Sequence, residues 1–238
     1  TTDADDPATA APVAESETTG GASSTVRRYV LEIEEIPAAS PNGRPLVGRA
    51  FAITDDGRGV GAALASLLEK DGATVRVLGA KNRLSKVDGL IDLSALLPDA
   101  GPREVRKLFR FAKQAVRSDA DVILAATGMG GDFGRGSDGP LRAGQGGVAG
   151  LLKSLSKERP SVRVRAIDLD PRESPSRLAS HIYDELVADD EHVEVGDRNG
   201  KRRILKIVRA EREVTEDGDP ELPKDSVVLI TGGARGIT

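Results

Sequence analysis

From residue 47 onward, short apolar runs alternate with longer stretches whose apolar residues recur at intervals of three and four. The short runs are RAFAIT (49–54), ATVRVL (73–78), DGLIDL (88–93), ADVILAAT (120–127) and VRVRAIDLD (162–170), and they read as strands. The longer ones are GVGAALASLLEKDG (59–72), PREVRKLFRFAKQAV (102–116), GGVAGLLKSLSKE (146–158) and SPSRLASHIYDELVAD (174–189), and they read as helices. Gly72 and Pro160 are stop signals. Ser174 is a cap, and Pro175 suits a first helical position. This alternation predicts an α/β, Rossmann-like fold with a doubly wound parallel sheet. The sheet is expected to be truncated, because the nine residues between Leu78 and Asp88 leave no room for a crossover helix. VEVG and KRRILKIV flank Asp197-Arg198-Asn199-Gly200, and Asn-Gly between β-runs predicts a terminal β-hairpin.

Upstream, VRRYVLEIE (26–34) alternates as an entry strand. Residues 1–25 contain one valine and no larger apolar side chain, so they are expected to form a disordered acidic linker. The expected organisation is a linker over 1–25, a truncated unit over 26–212, a second linker over 213–224, and the start of a further unit over 225–238. The first residue is Thr and the last run stops at a turn, so both ends read as cut. The expectation is a segment of a longer cytoplasmic polypeptide.

The chain is 38% hydrophobic and 30% charged, a composition suited to a soluble globular protein, and with only 3% aromatics its core must be aliphatic. Net charge is −4. Five acids and no basic residue fall in 1–26, leaving 34 basic against 33 acidic residues elsewhere. Charges of both signs are interspersed, which argues against a nucleic-acid partner. No run is long and apolar enough for a membrane helix. There are no cysteines, and the two histidines, His181 and His192, are separate, so no metal site is expected.

SVVLITGGARGIT (226–238) and RAFAITDDGRGVG (49–61) follow one plan: a strand, Thr, a glycine-bearing turn, and the start of a helix. Glycines in such a turn let the backbone approach a pyrophosphate, and the helix N-terminus supplies donors. The phrase resembles the Thr-Gly-x-x-x-Gly-x-Gly cofactor loop of short-chain dehydrogenases/reductases. The resemblance makes Thr231, Gly232, Gly233, Arg235, Gly236 and Ile237 cofactor-binding residues in a complete domain. Arg235 would meet the 2′-phosphate of NADPH. The first copy has Asp55-Asp56 where glycine is needed, and two carboxylates would repel a pyrophosphate. Gly59 and Gly61 are then explained by helix–strand packing.

The same resemblance fixes a register along the helix holding Gly150-Leu151-Leu152-Lys153-Ser154-Leu155. It places Gly128, Leu141 and Gln145 where the family has its catalytic Ser, Tyr and Lys, so no catalytic residue is expected here. A truncated reductase unit without catalytic side chains, followed by an intact cofactor loop, resembles the structural subdomain of ketoreductases in modular type I polyketide synthases and polyunsaturated fatty acid synthase-like multienzymes. VRRYVLEIEEIP, DGLIDLSAL, RAIDLDP and EVGDRNGKRRILKIVRA carry that likeness. It implies a non-catalytic scaffold for NADPH-dependent reduction of a β-ketoacyl thioester. The implied partners are a catalytic ketoreductase subdomain in cis and an acyl carrier protein. NADPH belongs to the complete ketoreductase, and this segment alone is expected to bind none. Two other readings are a free-standing dinucleotide-binding module, which Asp55-Asp56 disfavours, and a docking protein using the acidic tail.

Other features have plainer roles. In the glycine-dense stretch 128–136, Gly131 to Gly136 has the Walker spacing, but Ser137-Asp138 follows where Lys-Ser/Thr is required, and the stretch reads as a flexible loop. Asp168 and Asp170 share a strand face and read as solvated strand-end acids. His181 reads as an ordinary half-exposed helical residue. Arg106, Lys107 and Arg110 read as a solvated helix face.

Overall fold

The computed structural model describes residues 27–41, 43, 45–79, 84–97, 99–136, 143–211 and 223–227. Leu31–Val208 form one compact unit, and Thr1–Val30 with Arg209–Thr238 form a second. In the second unit the Ala210 N–H donates to the Arg28 carbonyl at 3.0 Å. The proposed linker 1–25 and the terminal loop residues 231–238 lie outside the described residues.

The elements in chain order are β1 (Tyr29–Glu35), β2 (Ala50–Thr54), α1 (Val60–Lys70), β3 (Thr74–Leu78), β4 (Gly89–Asp92), α2 (Pro102–Arg117), β5 (Val122–Thr127), α3 (Gly146–Glu158), β6 (Arg163–Leu169), α4 (Pro175–Val187), β7 (Glu194–Arg198) and β8 (Lys201–Arg209). The strands form one sheet in the order β1-β8-β7-β6-β5-β4-β2-β3. Neighbours from β3 across to β7 are parallel, and β7 pairs antiparallel with β8. The chain leaves β3 at the sheet edge and returns on the far side of β2, with no helix among the described residues of 79–88. That is the truncation the short spacer predicted. Strand entry at 26 is a small miss, since β1 begins at Tyr29.

Alternation along the central strands divides the core between two faces. Val122, Leu124 and Ala126 of β5 join Leu64 and Leu68 of α1 and Leu178, Ile182 and Leu186 of α4. Ile123 and Ala125 join Leu108, Phe111 and Ala115 of α2 and Val148 and Leu152 of α3. Register also fixes a glycine. Phe51 stands opposite Gly89, where an added Cβ would lie 2.5 Å from the Phe51 ring. At the hairpin, Asn199 and Gly200 have φ of 57° and 73°, the left-handed pair that a two-residue turn of the right twist demands. The Asp197 Oδ1 accepts the Gly200 N–H at 3.1 Å. Ser174 caps α4 as expected, its side chain accepting the Arg177 N–H.

The least expected core feature is ionic. Arg165 is 1% exposed and pairs with Glu185 and with Asp190, the latter at 2.7 Å. Arg202 closes the box, meeting Glu185 at 2.5 Å and Asp190 at 2.7 Å. Arg165 also donates to the carbonyls of His192 and Asp190 at 2.9 and 2.7 Å. Arg163 donates to the carbonyls of Glu185, Leu186 and Ala188, where α4 ends and four carbonyls lack helical partners. One box therefore ties β6, α4 and β8 together. Removing one member strands the others, a penalty of about 3–5 kcal/mol for buried pairs. Arg165→Ala is expected to lower unfolding free energy by roughly that amount, read from urea denaturation midpoints at unchanged m-value.

Candidate functional site

In a parallel sheet of this kind, ligands are held beyond the carboxyl ends of the strands. Here that edge is formed by the turn after β2, the loop after β5 and the turn after β6. The β2–α1 turn has the glycine geometry of a phosphate loop, with Gly57 at φ 66° and Gly59 at φ 94°. Its donors are already engaged. The Asp56 side chain is fully buried and lies on the first turn of α1. Its Oδ2 accepts the N–H groups of Arg58 and Val60 at 3.0 and 3.2 Å, and its Oδ1 accepts that of Gly61 at 2.8 Å. The Asp55 Oδ1 accepts the Gly57 N–H at 2.9 Å. The sequence suggested repulsion of a pyrophosphate. The geometry adds occupation, because the chain's own carboxylate sits where a pyrophosphate would bind. The signal was legible as capping, since Asp before a helix start is a favoured N-terminal acceptor. A Cβ on Gly61 would make ordinary contacts of 3.5–3.7 Å, so packing alone does not require glycine there.

The loop after β5 repeats the arrangement and corrects two expectations. Asp168 is not a solvated strand-end acid but a buried one. Its Oδ1 accepts from Thr127 Oγ1 at 2.8 Å and Met129 N–H at 2.7 Å, and its Oδ2 from Phe133 N–H at 2.8 Å. Burial pushes its pKa up to about 6 against the pull of these bonds. Asp170 is also buried, and its bonds to Arg172 hold its pKa below the usual carboxylate value, with burial opposing. The glycine-rich loop is not loose either. It wraps Asp168 and packs on β7 so closely that a Cβ on Gly131 would run into the Asp197 carbonyl. Asp132 pairs with Arg198 across the same seam. Glycine density here reflects close backbone approach, which composition could not distinguish from flexibility.

Gly128 and Gln145, assigned to the serine and lysine positions, do come together: the Gly128 N–H donates to Gln145 Oε1 at 2.8 Å. A Cβ on Gly128 would lie 3.4 Å from Pro171 and 3.7 Å from Leu96, so these side chains pack directly over the glycine. Leu141, at the tyrosine position, is outside the described residues. Arg58 donates to the Pro171 carbonyl at 2.5 Å, linking the β2 and β6 turns over the strand ends. Asp92, at the end of β4, accepts from Thr54 and Ser94, and burial raises its pKa.

His181 is more embedded than expected. Its Nε2 lies 3.2 Å from Glu173 Oε2 and 3.4 Å from Asp197 Oδ1. These three residues could supply nitrogen and oxygen ligands to a cation. Arg177 competes for the position, donating to Glu173 Oε2 at 2.9 Å. A cleft of about 650 Å³ opens near the start of β6, away from the strand ends, beside Arg163, Arg165 and Asp190. Its guanidinium groups are already taken by the carbonyls and carboxylates described above. The cofactor-loop residues Thr231, Gly232, Gly233, Arg235, Gly236 and Ile237 are outside the described residues. No helix among the described residues is long and apolar enough to cross a membrane.

Two measurements probe this edge. Asp168 binds a proton more tightly folded than unfolded, so its contribution to stability is full below pH ~4 and is lost as pH rises through about 6. In Asp168→Asn the stability difference from the parent chain should therefore change with pH across that window and be flat above it, measured by denaturation at a series of pH values. Asp56→Ala removes three N–H acceptances from the start of α1. It is expected to cost roughly 1–2 kcal/mol, at the upper end of capping losses, read from thermal melting.

No protein-family model matches the sequence. Among curated proteins, the chain is 30% identical over 220 residues to one of the subunits of the polyunsaturated fatty acid synthase of Thraustochytrium sp., covering 82% of this chain. It spans only 8% of that relative's length. Among solved structures it is similar to an A-type ketoreductase from a modular polyketide synthase. The TM-score is 0.56 at 16% identity, over 79% of this chain and 43% of the other. It is also similar to a metagenomic short-chain oxidoreductase in complex with NADP, with a TM-score of 0.50 at 16% identity, over 65% of this chain and 99% of the other. The fold is that of short-chain dehydrogenases/reductases, and the resemblance read from the sequence is the one these comparisons find.

Proposed function

We propose that this chain is the non-catalytic, structural half of a ketoreductase domain in a cytoplasmic polyketide or polyunsaturated fatty acid synthase-like multienzyme. In this reading it supports a catalytic unit that begins near Asp225. That unit transfers hydride from NADPH to the β-carbon of a β-ketoacyl chain on an acyl carrier protein, and a proton to its oxygen, giving the β-hydroxyacyl thioester. The observation carrying the proposal is the Asp56 carboxylate on the α1 N-terminus, which takes the donors a cofactor would need. Gln145 bonded to Gly128 supports it further, since neither side chain can supply the proton the carbonyl oxygen takes up in a reduction. In the following unit, Thr231, Gly232, Gly233, Gly236 and Ile237 would form the pyrophosphate turn, and Arg235 would face the 2′-phosphate.

The test compares this chain with a longer one that includes the following catalytic unit. The chain alone is expected to bind NADPH weakly or not at all and to turn over no β-ketoacyl thioester, followed by NADPH absorbance. The longer protein is expected to do both. There, Arg235→Ala should weaken NADPH by roughly 1.5–3 kcal/mol and leave NADH nearly unchanged, because only NADPH offers a phosphate to the guanidinium. Tight NADPH binding by the 238-residue chain itself would overturn the proposal in favour of a free-standing dinucleotide-binding module.

A further inference from the structure

The outer face of α2 carries a charge pattern that the fold does not use. Arg106, Arg110, Lys113 and Arg117 are all exposed, and they succeed one another at spacings of four, three and four. At 3.6 residues per turn this places them within a sector about 60° wide and about 16 Å long. Phe109 flanks the seam and is 52% exposed. The opposite face of the helix is the core face, with Leu108, Phe111, Ala112 and Ala115 buried. At the N-terminal end Arg103 pairs with Glu104 at 2.9 Å and lies 3.9 Å from Asp99. The four seam cations pair with no carboxylate among the described residues.

This seam is unfavourable for the helix taken alone. Like charges three and four apart repel, each pair by a few tenths of a kcal/mol. Only Arg117, in the last turn, gains from the helix dipole. An exposed aromatic among cations is a second cost without an internal return. Acids mark both limits of the seam, with Asp99, 3.9 Å from Arg103, before α2, and Asp119 and the Arg49-paired Asp121 after it. An extended polyanion running past the helix would meet those carboxylates. A helix of matching length would not.

We infer that the outer face of α2 is a docking surface for an acidic amphipathic helix of a partner protein. Its carboxylates, spaced at three and four, would oppose Arg106, Arg110, Lys113 and Arg117, and one apolar side chain would cover Phe109. This inference goes beyond the ketoreductase reading and does not depend on it.

The experiment uses the whole chain and a synthetic helical peptide of about 18 residues, long enough to span the seam. The peptide bears Glu at spacings of four, three and four and a flanking Leu. Its Gln counterpart and a single-stranded oligodeoxynucleotide of equal charge are the comparison probes. Fluorescence anisotropy should register binding of the Glu peptide that weakens steeply with salt. Combined Arg106→Glu, Arg110→Glu and Lys113→Glu substitution should weaken it by at least about tenfold, with far-UV circular dichroism and the melting temperature retained. Phe109→Ala alone should weaken it less while preserving the salt dependence. The inference is overturned if the Glu peptide does not bind, if the Gln peptide binds equally well, or if charge reversal changes nothing. It is also overturned if the oligonucleotide binds more tightly than the peptide, which would mark a general polyanion surface.

Discussion

Backbone N–H groups at the start of a helix, or in a tight glycine turn, cannot be left buried without an acceptor. In a dinucleotide-binding sheet that acceptor is a phosphate, and the fold is completed by its ligand. Here the chain supplies the acceptor from within. Asp56 takes three N–H groups at the mouth of α1, and Asp168 takes those of Met129 and Phe133 together with the Thr127 hydroxyl. Each carboxylate lies at the carboxyl edge of the sheet, and each satisfies the backbone of a glycine-bearing turn.

Much of the remaining architecture follows from these two closures. With the β5 loop folded onto Asp168, Gly131 can press against the Asp197 carbonyl and Asp132 can reach Arg198, so the hairpin strand β7 is locked to the loop. With Asp56 seated, Arg58 is directed across the edge to the Pro171 carbonyl, and Pro171 in turn covers Gly128. The other side of β6 is held by the Arg165–Glu185–Asp190–Arg202 box. A buried ionic box of this kind is weak evidence for net stability, because desolvating its charges offsets much of their attraction.

The parallel sheet and the helices were legible because period and punctuation agreed in nearly every element. GGVAGLLKSLSKE, bounded by glycine and proline, gave α3 its limits, and Asn199-Gly200 gave the hairpin its turn. The missing crossover was legible as a length. The closures were harder to see, although their signals exist. Asp55-Asp56 announces what it repels more plainly than what it accepts. Arg163 and Arg165 share a strand face with Ile167 and Leu169, which placed two cations toward an apolar layer and called for buried partners. Those partners, Glu185 and Asp190, lie beyond the strand in sequence, where no local pattern pairs them. The glycines at 128–136 were ambiguous in principle, because close approach and looseness demand the same residue.

Packing polar side chains at the strand ends leaves an energetic residue. Asp92 Oδ2 and Gln145 Nε2 are buried without hydrogen-bond partners among the described residues. Both sit at the strand-end edge, beside the groups that Thr54, Ser94 and Gly128 do satisfy. Burial favours the neutral form of Asp92, which replaces an uncompensated charge with the smaller cost of an unpaired polar atom. Such atoms are rare in a core selected only for stability. A third such atom, Arg203 Nε, lies on β8. Unpaired buried atoms are therefore found both at the strand ends and on the antiparallel strand β8.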